Sequence, residues 1–194
     1  MRLFAFIFMF TALFGCASTG DDRTAAEFTS GAVVQEAADG TTLIATVNPR
    51  LKIGALWDQG EEQHSIRARI NKRTGHKNFE LFELISYKGD KPKIFDSVEY
   101  QTPAGMQKGV LKVLKREQRC GQYRSGLVCT QLEFVSVDLD ESLLRMIGNS
   151  QLGGNLWTIQ FMTQSGEQYV VRTPTVEAAA LLKKVDDYLE MRRR

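Results

Sequence analysis

Two cysteines set into alternating sequence constrain this chain most. Cys120 and Cys129 flank Gly121, Gln122, Tyr123, Arg124, Ser125 and Gly126, a polar, glycine-bounded loop. On the N-terminal side, residues 109–119 alternate: Val110, Lys112, Leu114 and Arg116 fall on one face, Leu111, Val113 and Lys115 on the other. On the C-terminal side, residues 127–137 continue the pattern, with Leu132 and Phe134 sharing a face. A period of two is the signature of a half-exposed strand. Two such arms around a short loop predict a long hairpin that sets the cysteines opposite each other, close enough to bridge. A redox pair usually has two residues between its cysteines, and here there are eight. A metal site would need histidine or further cysteine nearby, and the loop has neither.

The rest of the chain reads as more strands and two helices. Residues 41–47 and 51–57 look like strands separated by the Asn48-Pro49 turn signal. In residues 64–71, Ile66, Ala68 and Ile70 oppose Ser65, Arg67, Arg69 and Asn71, as in a strand with one buried face. Residues 79–87 are apolar on both faces, as in a central strand. Further strands are expected over 94–100, 155–163 (burying Trp157, Ile159 and Phe161) and 168–172. Asp138 or Asp140 is placed to cap a short helix through Leu143, Leu144, Met146 and Ile147, ended by Gly148-Asn149. Thr173 as N-cap and Pro174 at the first helical position open a C-terminal helix. Ala178, Leu181, Leu182, Val185, Tyr188 and Leu189 form its apolar stripe. The expected class is α+β: a mostly antiparallel, meandering sheet with a short helix, and a C-terminal amphipathic helix packed on it. A barrel-like sheet with the helix as a lid is the alternative.

The N-terminus sets the compartment. Met1-Arg2 leads an apolar run that begins at Leu3, and a small residue, Gly15, ends it before Cys16. A charged start, an apolar stretch of about a dozen residues and a small-residue site form the order of a secretory signal. The run is too short to cross a hydrocarbon core of roughly 30 Å. Leu13-Phe14-Gly15-Cys16 resembles the lipobox of bacterial lipoproteins, with Phe14 departing from the usual small residue. The resemblance covers the signal alone. It implies cleavage after Gly15 and lipidation of Cys16. Acyl chains contribute about 0.8 kcal/mol per buried methylene, so two or three hold a protein at a membrane without a spanning helix. Ala17, where an Asp would favour the inner membrane, leans towards the outer membrane. In such an oxidising compartment Cys120 and Cys129 are expected as a disulfide. The division expected is residues 1–15 as signal, 16–40 as lipidated cysteine and flexible tether, and 41–194 as one β-rich domain. Phe28, Val33 and Val34 could seed a first short element near the end of that tether.

Chemical motifs are sparse. Lys and Arg number 25 against 23 Asp and Glu, a formal net charge of +2, which does not point to nucleic acid. His64 and His76 have no ligand-like spacing and read as surface histidines. Nucleotide, hydrolase-elbow and zinc-protease motifs do not occur. Asp138, Asp140 and Glu141 read as helix-capping acids rather than a calcium loop. Neither a metal nor another cofactor is expected. Arg67, Arg69, Lys72, Arg73, His76 and Lys77 concentrate on one hairpin, as a patch for an anionic partner or as charges that blunt a strand edge. Arg192, Arg193 and Arg194 suit a helix C-terminus first and a membrane contact second.

The function expected is a non-enzymatic binding or structural role at the periplasmic face of the outer membrane, with an envelope protein as partner. The alternative is a lipoprotein that carries a hydrophobic ligand between helix and sheet, near Trp157, Phe161 and Tyr169. An envelope hydrolase using scattered acids is a third reading.

Overall fold

The computed structural model describes residues 24–46, 64–123, 126–149 and 151–194. The expected signal, Cys16 and the expected strand over 51–57 lie outside these residues. The order of elements is α1 (Ala25–Gly31), β1 (Val33–Glu36), β2 (Thr41–Ala45), β3 (His64–Asn71), β4 (Lys77–Lys88), β5 (Phe95–Thr102), β6 (Gly105–Gly109), β7 (Leu111–Tyr123), β8 (Gly126–Leu139), α2 (Glu141–Gly148), β9 (Leu156–Thr163), β10 (Gln168–Pro174) and α3 (Thr175–Arg193).

The α+β class is as expected, but the strands form two antiparallel sheets rather than one meander. The larger has the order β1-β2-β3-β4-β8-β7 and the smaller β10-β9-β5-β6. Neither closes into a barrel. The chain leaves the larger sheet after β4, builds β5 and β6 in the smaller, and returns through Val110 to β7. Gly109 stands at that return. A Cβ there would lie 2.8 Å from the Tyr100 ring and 3.1 Å from Val137, so the two sheets approach too closely for a side chain.

The packed region also starts earlier than the tether boundary at residue 40 allows. Helix α1 carries a capping box between Thr24 and Glu27 and buries Phe28, and β1 pairs with β2. The Ala-, Thr- and Ser-rich composition that suggests a tether is also compatible with a short capped helix anchored by one large apolar side chain.

The core lies between the sheets and under the helices. Trp157, Ile159 and Phe161 of β9 are fully buried, as their alternation predicts. They meet Phe79, Leu81 and Ile85 of β4, and Val135 and Val137 of β8. Helix α3 adds Ala178, Leu181, Leu182 and Val185. Its start is shifted by one residue from expectation: Pro174 is the N-cap and the helix begins at Thr175. Asp140 occupies the N-cap position of α2 without making a side-chain capping bond. Where α2 meets α3, Gly148 is required, because a Cβ would sit 2.9 Å from the Ala179 amide nitrogen.

Candidate functional site

Strand alternation and the packing of α3 place a histidine and two carboxylates together in the interior. His64 opens β3 directly opposite Glu83 of β4, so their side chains share the core face. Glu83 interrupts an otherwise apolar series of Phe79, Leu81 and Ile85. Glu177 comes from the first turn of α3, where the helix dipole favours a negative charge. His64 Nδ1 lies 2.7 Å from Glu83 Oε2, and Nε2 lies 3.4 Å from Glu177 Oε2. The His64 side chain is 12% exposed, Glu83 1% and Glu177 4%.

Two threonines complete the shell around Glu177. The Thr173 hydroxyl donates to Oε2 at 2.5 Å. The Thr46 hydroxyl donates to Oε1 and accepts from the Ile66 amide at 2.8 Å. One carboxylate thus joins β10, the end of β2, β3 and α3.

Burial disfavours the His64 imidazolium, but Glu177 and Glu83 together outweigh it and raise its pKa from 6.5 to about 10. Burial likewise disfavours the Glu177 carboxylate, and the His64 charge beside it, with the hydrogen bonds from Thr173 and Thr46, reverses this, holding it below the usual range. The resulting species is an imidazolium between two carboxylates. An imidazolium has no lone pair to accept a proton, so this arrangement does not present a general base at neutral pH. The two ring nitrogens face different carboxylates, which suits ion pairing rather than a shared metal. Among the described residues no group of His, Cys, Asp and Glu is placed to hold a metal ion.

The surface reading of His64 is therefore corrected: it is a buried, charged residue. The signal that could have found it is Glu83. A carboxylate on an apolar face must acquire a cation, and His64 is its cross-strand neighbour. His76 lies in the exposed β3–β4 turn, as expected.

The basic hairpin is not a uniform patch. Arg67 is half-buried, stacked 3.7 Å over the Phe82 ring, and donates to Ser65 Oγ at 2.9 Å. Arg69 forks onto Glu80. Lys72 pairs with Glu36 at 2.7 Å and Lys77 with Glu141 at 2.6 Å. Arg73 has no carboxylate partner among the described residues. Most of this charge is satisfied within the protein, by acids on a neighbouring strand (Glu80), on β1 (Glu36) and on α2 (Glu141).

In the β7–β8 arm, Cys120 and Cys129 occupy paired positions and their sulfurs lie at disulfide distance, 2.09 Å. On the same arm Glu133, 1% exposed, takes Arg116 Nε at 3.0 Å and the Tyr87 hydroxyl at 3.1 Å. The aromatic residues singled out for a ligand pack against one another and their neighbours: Tyr169 lies 6.3 Å from both Phe95 and Phe161, and Trp157 6.1 Å from Tyr100. Trp157 Nε1 donates to the Gln101 carbonyl at 2.9 Å. Among the described residues no helix is long and apolar enough to cross a membrane.

No family model matches this chain, and no curated protein or solved structure matches it either.

Proposed function

We propose that this is a lipid-anchored protein of the bacterial envelope, held through Cys16 at the periplasmic face of the outer membrane, with a binding or structural role rather than a catalytic one. The observation that carries the reading is the N-terminal sequence: a charged start, an apolar run and Leu13-Phe14-Gly15-Cys16. Two structural features support it. The cluster best equipped for chemistry, His64 with Glu83 and Glu177, is spent on joining a helix to strands. The packed domain begins at Thr24, eight residues after Cys16, a stretch that spans about 28 Å at most. A domain on so short a lead works next to the membrane surface.

In-cell crosslinking of the native protein and of Cys16→Ser, with mass spectrometry of what co-purifies, tests this. A specific envelope protein captured by the native form and lost in the variant is expected. Capture that is unchanged by the variant would contradict the role of the anchor. Turnover of a cell-wall or lipid substrate by the purified protein would contradict the non-enzymatic role.

A further inference from the structure

Two basic segments remote in sequence meet at one end of the molecule. One is the β3–β4 turn, with Lys72 and Arg73. The other is the C-terminal end of α3, with Arg192, Arg193 and Arg194. Glu36, at the end of β1, joins them. Its Oε2 accepts from Lys72 Nζ at 2.7 Å, and its Oε1 accepts from the Tyr188 hydroxyl at 3.4 Å. Arg192 Nη1 donates to that same hydroxyl at 3.5 Å, and its guanidinium lies 6.0 Å from the Tyr188 ring centre. The Lys72 amide donates to the Gly40 carbonyl at 2.9 Å, which draws the β1–β2 turn alongside.

The acids at this end are Glu36, Asp39 and Glu190. Glu36 is shared between Lys72 and Tyr188, Asp39 accepts from the Thr41 amide, and Glu190 holds Arg194 at 2.7 Å. Arg73 and Arg193 are exposed and have no carboxylate partner among the described residues. Lys88 and Lys91 are also exposed without a carboxylate partner among the described residues, but they belong to a single segment, whereas at this end the fold joins basic side chains from two segments remote in sequence.

We propose that this end is a contact surface for anionic lipid headgroups, which turns the domain so that the β3–β4 turn and the α3 terminus face the membrane. The proposal rests on the Cys16 anchor reading. A turn and a helix terminus are projecting features, suited to a flat charged surface rather than to a groove. Basic side chains near an anionic bilayer each favour contact by about fivefold, and the effect falls off within a Debye length, so a short lead matters.

The test uses protein purified from the envelope and presented to vesicles of phosphatidylcholine, with or without phosphatidylglycerol. Flotation with pure phosphatidylcholine reports the anchor; hydrogen exchange reports the surface. The expected result is exchange over residues 70–76 and 188–194 slowed about fivefold or more by phosphatidylglycerol. The slowing should vanish at high salt and in the double variant Arg73→Glu, Arg193→Glu, while residues 164–167 are unaffected. Equal exchange in both vesicles, or equal slowing over 164–167, would overturn the proposal whatever the flotation shows. Flotation only with phosphatidylglycerol, with the expected protection, would remove the anchor and leave the surface standing.

Discussion

Two carboxylates lie on the same core face of the larger sheet and are neutralised in different ways. Glu83 on β4 meets His64, which is itself shared with Glu177 of α3. Glu133 on β8 meets Arg116 of β7 and the Tyr87 hydroxyl. His64 is 12% exposed and Arg116 41%. The first cluster is closed: one cation serves two buried acids, and its members come from a helix and two strands. The second is open: its cation reaches water, and it ties an edge strand to the β4–β5 turn. A buried charge without its partner is costly, whereas a half-exposed one can turn to solvent. The first is thus a clamp on the fold, and the second a local fastening.

The largest effect should come from His64→Ala, which strands Glu83 and Glu177 together. A loss of about 3–5 kcal/mol in denaturant unfolding is expected. A loss no greater than that of an exposed ion pair would break the distinction.

The closed cluster also predicts a pH profile. His64 is raised in the folded state, so its contribution is complete below pH 6.5 and is lost as pH rises through about 10. Glu177 is lowered, so its contribution is present above pH 4.5 and is lost as pH falls through its depressed value. Their combined stabilisation should be greatest between pH 4.5 and 6.5 and decline on either side. Urea midpoints across pH for the native protein and for His64→Ala measure it; parallel profiles would contradict it.

Glu133→Ala should cost less, about 2 kcal/mol, because Arg116 can hydrate once released. Thermal unfolding of the two alanine variants side by side sharpens the comparison, and Glu133→Ala proving the more damaging would reverse it.

The smallest effect concerns the turn that the open cluster fastens. Ile94 has φ of 59°, an unfavourable region for a β-branched residue, and is half-exposed. Its neighbours are fixed on both sides: the Lys93 amide donates to the Tyr87 hydroxyl at 2.6 Å, and the Phe95 carbonyl accepts from Arg116 at 3.4 Å. Ile94→Gly should therefore stabilise by roughly 0.5–1 kcal/mol, the relief of strain exceeding the added freedom of the unfolded chain. A lower melting temperature would show that the conformation carries no strain.

Much of the fold was legible because alternation reports burial directly. Ile66, Ala68 and Ile70, the Trp157 series and the stripe on α3 all face the core as their spacing implies. The division into two sheets was not legible. Strand spacing says nothing about which strands pair, and β4 joins β8 rather than β5. The candidate site was half visible. Glu83 stood out on an apolar face and His64 lay in the preceding strand, but Glu177 is 94 positions beyond Glu83 and reaches the cluster only through the packing of α3. The basic hairpin misled because cations read alone on a strand hide the acids that face them, such as Glu80 opposite Arg67 and beside Arg69.

The most direct test of the closed cluster is the ¹⁵N chemical shift of the His64 ring in the folded protein at pH 8. Both nitrogens protonated at that pH is the predicted result. A neutral His64 ring at pH 8 would contradict the clamp and make the residue a candidate for proton transfer.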